Sequence, residues 1–301
     1  MNLTYRLAAS GLFALALTGC TSTSNAQVAQ LDPNNPSDAM TIARKQQCST
    51  IDNEPIVYGW SGKAYSRRQG EKDVNIFDVE GMNIRACAAI ENDKGTPGFQ
   101  LVSREILLYL DPATGEVLKT WDNPWTGETV DVLHVANDPV NFKMFETGRD
   151  GQPSKWTGEI SGASWWYRST FPLWYSNPLA GDYQTEIGGT YHASELFNFF
   201  GETADLLNPK TTTARVTVGW SRIADWLPWM KMNGREGVMY MHTAGKKLGT
   251  FDELSDRMKT EIATHYPEWN SPPPEGDPRP NMTSWMYYEG ITDGTIARPE
   301  R

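Results

Sequence analysis

The sequence predicts a mostly β protein: one antiparallel sheet rolled into a closed or nearly closed barrel, calycin- or lipocalin-like, with a C-terminal helix packed on it. Three observations carry that expectation. Segments rich in Val, Ile, Thr, Tyr and Trp alternate with clusters of Gly, Pro, Asn and Asp, the pattern of a β meander. Tight-turn signals follow one another between Leu107 and Ala136. Roughly ten strand candidates occur in all, and an antiparallel sheet of that size tends to curl or close, which also removes exposed edges. The 301 residues are long for one domain but within reach of a β-rich fold.

Residues 1–19 read as a secretory signal, with Arg6 as the positive n-region and an apolar run from Leu7 to Leu17. That run is shorter than the roughly 20 apolar residues of a membrane-spanning helix. Leu17, Thr18, Gly19 and Cys20 resemble the bacterial lipobox. The resemblance implies cleavage before Cys20 and acylation of its thiol and amine. Several acyl chains on one residue anchor stably, because each buried CH₂ contributes about 0.8 kcal/mol. No aspartate follows Cys20, which by analogy with lipoprotein sorting points to the outer membrane. The expected location is periplasmic and lipid-anchored. Residues 20–36 form the lipidated terminus and a polar tether.

The barrel domain with its helix is expected over 37–270. Ser37 caps a short helix running to about Gln47. Strand candidates follow at Ile56–Tyr65, Asn75–Ala89 and Gly98–Val102. Glu105–Leu110, Glu116–Trp121 and Glu128–Ala136 then read as three consecutive strands, joined by turns at Asp111–Gly115 and Asn123–Gly127. Further candidates are Gly158–Trp174, Gly189–Phe199, Ala214–Trp220 and Gly237–His242. Thr250 and Glu253 form a capping box for a helix ending at Tyr266, with Phe251, Leu254, Met258 and Ile262 on one apolar face. Residues 271–301 are a Pro-rich tail in which Trp285, Tyr287 and Tyr288 dock back on the domain.

Composition narrows the function. With 27 Lys and Arg against 37 Asp and Glu, the acidic chain lacks basic runs and is a poor nucleic-acid binder. There is no G-x-S-x-G elbow, P-loop, dinucleotide fingerprint or CxxC, so no cofactor is expected and nucleophilic-serine, phosphate-transfer and nicotinamide chemistry are disfavoured. Twelve Trp, twelve Tyr and ten Phe suggest a large β core or an aromatic-lined cavity. Besides Cys20, Cys48 and Cys87 are either bridged, as the periplasm permits, or two separate buried thiols.

The stretches Leu110–Gly115, Thr120–Asn141 and Pro228–Met232, with the later His265-Tyr266-Pro267, resemble the bacterial family catalogued as domain of unknown function 1838. The resemblance spans roughly Asp32 to Pro274 and implies one domain. It brings no established activity and no catalytic residues.

Candidate site residues come from the patterning alone. His134 shares a strand face with Val130 and Val132 and meets a polar turn at Asn137 and Asp138. It reads as a proton donor or acceptor oriented by Asp138, or as a satisfied core histidine beside an Asx turn. Trp165, Tyr167 and Phe171 share one strand face, and Arg168 lies on the other, where it either stacks between tryptophans or holds an anionic ligand. Trp226, Trp229 and Met230 line an apolar pocket or plug the barrel. His192 is a further ligand-binding candidate; it and Glu195 point to opposite faces if they lie on a strand and could share a ligand only on a helical turn, and no metal site is expected.

Two functions from different classes remain. One is a lipid-anchored periplasmic barrel that binds an apolar or aromatic small molecule, with the membrane as its other partner through the anchor. The other is a cofactor-independent lyase, isomerase or hydratase acting on an aromatic or isoprenoid-like substrate, with His134, Arg168 or Tyr167 moving protons.

Overall fold

A computed structural model describes residues 29–176, 190–232 and 234–300. The signal and the Cys20 lipobox lie outside the described residues. Helix α1 spans Pro36–Gln47. Asn35, not Ser37, is its cap: the Asn35 side-chain oxygen accepts the N–H groups of Ser37 at 3.0 Å and Asp38 at 3.1 Å. Pro36 at the first helical position has no N–H to satisfy, which moves the start upstream of Ser37. The helix buries Ala39, Met40, Ile42 and Ala43. Cys48 at its C-terminus is bridged to Cys87.

The strands are β1 (Ile56–Arg67), β2 (Val74–Glu91), β3 (Pro97–Leu110), β4 (Thr120–Asp122), β5 (Thr129–Asp131), β6 (Val135–Asn137), β7 (Phe142–Phe145), β8 (Glu159–Ser161), β9 (Ser164–Ser176), β10 (Thr190–Glu202), β11 (Thr217–Ala224) and β12 (Val238–Leu248). Ten of them form one antiparallel sheet in the order β6-β3-β2-β1-β12-β11-β10-β9-β8, with β7 also on β3. Two meanders therefore meet at a single seam, where β1 runs against β12 and Val57 faces Leu248. Among the described residues no ladder joins β6 or β7 to β8, so the predicted barrel is not hydrogen-bonded shut.

The sheet is strongly curled nonetheless. Glu105 on β3 and Glu195 on β10 line one and the same cavity. Four strands separate these two in the ladder, which along a flat sheet would be about 24 Å. They meet only because the sheet wraps, bringing its two halves face to face across a concave interior.

The predicted three-stranded meander after Glu105 is a correction. β3 is one long strand, and the next segment leaves the sheet as a separate hairpin in which β4 pairs with β5. Trp121, Val130 and Val132 are buried in the concave core, and that burial draws the hairpin inward as a plug. β6 then returns to β3, with Asn137 opposite Glu105. The Asn123 side chain donates to the Met230 carbonyl at 3.0 Å and so ties the plug to the short 3₁₀ turn Pro228–Met230.

At the other end of the interior sit α1, the single-turn helix α2 (Thr203–Leu206) and Trp156, Trp165 and Phe99. Helix α3 spans Asp256–His265 and covers the convex face, packing Leu254, Met258 and Ile262 against Val57, Met82, Ile84 and Ile106. Its cap is Ser255, whose hydroxyl accepts the Met258 N–H at 3.0 Å. Thr250 starts only a 3₁₀ turn, and the Glu253 carboxylate accepts from the Gly249 N–H instead of completing a capping box. Helix α4 (Ser284–Asp293) buries Trp285, Tyr287 and Tyr288, so the tail docks.

Candidate functional site

Between the hairpin plug and the α1 end of the interior lies a cavity of about 470 Å³. Period-two alternation sets its walls, because every strand sends alternate side chains inward. Tyr58 and Trp60 come from β1, Asn83 and Arg85 from β2, and Leu101, Ser103, Glu105 and Leu107 from β3. The far wall is Tyr167, Ser169 and Phe171 from β9, Glu195, Phe197 and Phe199 from β10, and Val218, Trp220 and Arg222 from β11. The registers place these residues in continuous rows: Trp60 faces Gly81, Phe197 faces Trp220, and Glu195 faces Arg222. Phe142 and Phe171 line the cavity and are also exposed, at 42% and 50%, which marks the open side between β7 and β9 as its mouth.

Four charged side chains project into this largely aromatic space. The Arg222 guanidinium donates to the Glu195 carboxylate at 2.9 Å and to the Tyr191 hydroxyl oxygen at 3.2 Å. Burial raises the Tyr191 hydroxyl above its ordinary pKa. Glu105 accepts a hydrogen bond from the Asn137 side chain at 2.6 Å. Burial first, and then the facing charge of Glu195, raise the Glu105 carboxyl, against the opposing pull of Asn137, Arg222 and Arg85. Two carboxyls thus stand in unlike settings, one ion-paired and one biased toward its neutral form. That separation is how a site holds an acid beside an ionised group.

Near α1, Arg85 donates through Nε to Asn83 at 2.6 Å and through Nη1 to Gln47 at 2.7 Å, with its guanidinium 4.7 Å over the Tyr58 ring. Lys247 lies on the other side of Tyr58, 5.7 Å from the ring. Its ammonium donates to the carbonyls of Lys45 at 2.7 Å and Cys48 at 3.1 Å, where it complements the C-terminal end of the α1 dipole. Burial drives the Lys247 amine well below its usual value. Lys45 is likewise pulled down to about 8 by burial and donates to three carbonyls around α2.

The residues singled out from the sequence scatter. Tyr167 and Phe171 line the cavity. Trp165 shares their face but is fully buried against Trp156, with rings 5.8 Å apart. Trp226, Trp229 and Met230 belong to the plug, where Trp229 packs against Phe77, Tyr109 and Trp121. His134 is buried beside a void of about 20 Å³, outside the main cavity. Its Nδ1 accepts the Tyr109 N–H at 3.0 Å and its Nε2 donates to the Leu118 carbonyl at 3.0 Å, which assigns the neutral Nε2–H tautomer. Asp138 turns to Arg104 at 2.9 Å and to a two-point pair with Arg279, pinning the C-terminal tail. Arg168 is on the convex face, paired with Glu159. His192 is also on that side and meets Asp225 at 3.2 Å, while Glu195 points inward from the same strand.

Arg85, Glu105 and Arg222 escaped the sequence reading. Glu105 and Arg222 had a signal, namely a charge on the face that their strand neighbours mark as apolar; Arg85, with Gly81 and Asn83 on its face, had none. Glu105 alternates with Leu107 and Tyr109, and Arg222 with Trp220 and Val218. Among the described residues no three His, Cys, Asp or Glu side chains converge as a metal site.

The model of the family described as "Protein of unknown function (DUF1838)" matches residues 53–292. No curated protein matches the chain. One solved structure, described as "Crystal structure of MucB in complex with MucA(peri)", is similar at 11% identity over 71% of this chain and 94% of that chain. Its TM-score of 0.13 carries no argument about fold or function.

Proposed function

Given that the chain belongs to the DUF1838 family, whose description assigns no activity, we propose from the geometry that it binds an apolar or aromatic small molecule in the interior of its curled sheet. The cavity carries this reading: about 470 Å³, walled by aromatic side chains with a few inward polar groups, as ligand sites are. A core filled by its own side chains leaves voids of one water or less. The shared wall of β3 and β9 supports a nearly closed barrel around the ligand. The lipobox supports a periplasmic protein tethered through Cys20 to the outer membrane. Cys20→Ala is expected to release it from the membrane fraction and to change its mass; a variant that stays membrane-bound at unchanged mass would refute the anchor.

The ligand test uses the full-length Cys20→Ser protein, which takes no acyl chain. Trp60 and Trp220 wall the cavity, so phenylnaphthylamine should quench tryptophan emission saturably at one site. A linear, non-saturating response sinks the binding reading.

One observation favours a second reading, a cofactor-independent lyase, isomerase or hydratase. Glu105 is a carboxyl biased toward protonation that lines the cavity beside the Arg222–Glu195 pair. It would give or take the proton, and Arg222 with Tyr191 would steady charge that develops on the substrate. Under this reading Glu105→Gln retains ligand affinity and loses turnover.

A further inference from the structure

The charges in the cavity do not balance end to end. Toward β10 and β11, Arg222 and Glu195 cancel each other in a 2.9 Å pair. Glu105 beside them is the carboxyl that burial biases toward neutrality. Near α1, Arg85 is held by two amide oxygens and a phenol ring, none of which carries a negative charge. Among the described residues no carboxylate forms an ion pair with Arg85, and its Nη2 has no hydrogen-bond partner. Glu105 is the carboxyl whose charge reaches it. Lys247 brings a second basic group to the same end.

An enclosed guanidinium remains protonated even when burial disfavours its charge, since its ordinary pKa is far above neutrality. Asn83 and Gln47 fix its plane and leave one donor edge unused, the arrangement that planar two-point recognition of a carboxylate needs. Apolar surface begins next to it, with Leu101 on β3 and Trp60, Phe197 and Trp220 further along the cavity. We infer that the ligand is an apolar organic acid in its ionised form, with its carboxylate on Arg85 and its hydrocarbon or aromatic body against Trp60, Phe197 and Trp220. This rests on the binding function proposed above and adds the chemical class of the ligand.

A charged and an uncharged probe of one shape separate the two ideas. Full-length Cys20→Ser protein is titrated with naphthalene-carboxylate and with its methyl ester, read by tryptophan quenching. The acid should bind at least about tenfold tighter than the ester, the scale of a charge-assisted pair that is worth 1.4 kcal/mol or more. Arg85→Gln keeps a polar side chain without charge and should abolish the preference, with ester affinity unchanged as evidence of an intact cavity. Equal affinities in the parent, or a preference that survives Arg85→Gln, overturn the anchor and leave the binding cavity standing. If neither probe saturates, both ideas fall. Should Arg85→Gln not fold, the ratio in the parent decides.

Discussion

Burial and the facing Glu195 raise the Glu105 carboxyl from its ordinary value of 4.5. The native state therefore holds that proton more tightly than the unfolded chain does. The resulting stability is complete below the ordinary value and is lost as pH rises through the higher folded one. Glu105→Gln preserves an oxygen for Asn137 and cannot ionise. We expect it to melt higher than the parent at neutral and alkaline pH. The two should converge toward about pH 4, where both carry a neutral side chain. Equal pH slopes in thermal melts of the two proteins would mean that Glu105 ionises normally. His134 calls for the opposite experiment. It links the Tyr109 N–H to the Leu118 carbonyl. His134→Gln should cost about 1–3 kcal/mol of stability from imperfectly replaced buried hydrogen bonds, while probe affinity stays within about twofold. A stable variant that no longer binds would return His134 to the site. The sequence exposed the face on which His134 lies but not its role. A histidine that bridges two backbone groups and one that moves protons occupy the same alternation.

The elements were readable where local chemistry decides them and misread where tertiary packing does. β1, β2 and β10 lie close to the segments that announced them, whereas β12 runs on to Leu248, past the expected end at His242. The Asn123 turn was also readable, since its side chain accepts the N–H groups of Trp125 and Thr126 as an Asx turn does. Nothing local says that the hairpin beyond it leaves the sheet to bury Trp121. The inward charge of Arg85 was invisible for a related reason. Arg85 reads as an outward residue until the partner strands show which face is enclosed. Two predictions belong at this scale. The Cys48–Cys87 bridge spans 39 residues and ties α1 to β2. Replacing both cysteines with serine should lower stability by about 2–4 kcal/mol, measured by denaturant unfolding. An unchanged midpoint would mean that the unfolded chain gains no freedom from the cut. Gly81 lies under the Trp60 indole, and a Cβ there would sit 2.4 Å from the ring. Gly81→Ala should therefore tilt Trp60 and weaken the neutral probe several-fold, while an unaltered affinity would place the probe away from Trp60.

For the whole molecule, the sequence supplied the β content and the curl but not the open path. Strand number argues for curvature, whereas closure depends on whether the two outermost strands can pair, and β6, β7 and β8 are only three or four residues long. The sheet's single long-range junction has a temporal consequence. Each other ladder between long strands, such as β2 with β3 or β9 with β10, joins chain neighbours, whereas β1 with β12 brings together residues as distant as Val57 and Leu248. Local hairpins form early, and the late step is the docking of two preformed halves across a large loop. During refolding, pulse-labelled amides in the β2–β3 and β9–β10 ladders should gain protection before those of β1 and β12 that bond to each other across the seam; simultaneous protection would exclude staged assembly. Arg85 and Glu105 arrive on one half, Glu195 and Arg222 on the other. Neither half alone holds a pocket, so the probe stays dark until the halves dock, and its binding becomes a clock for the last event of folding.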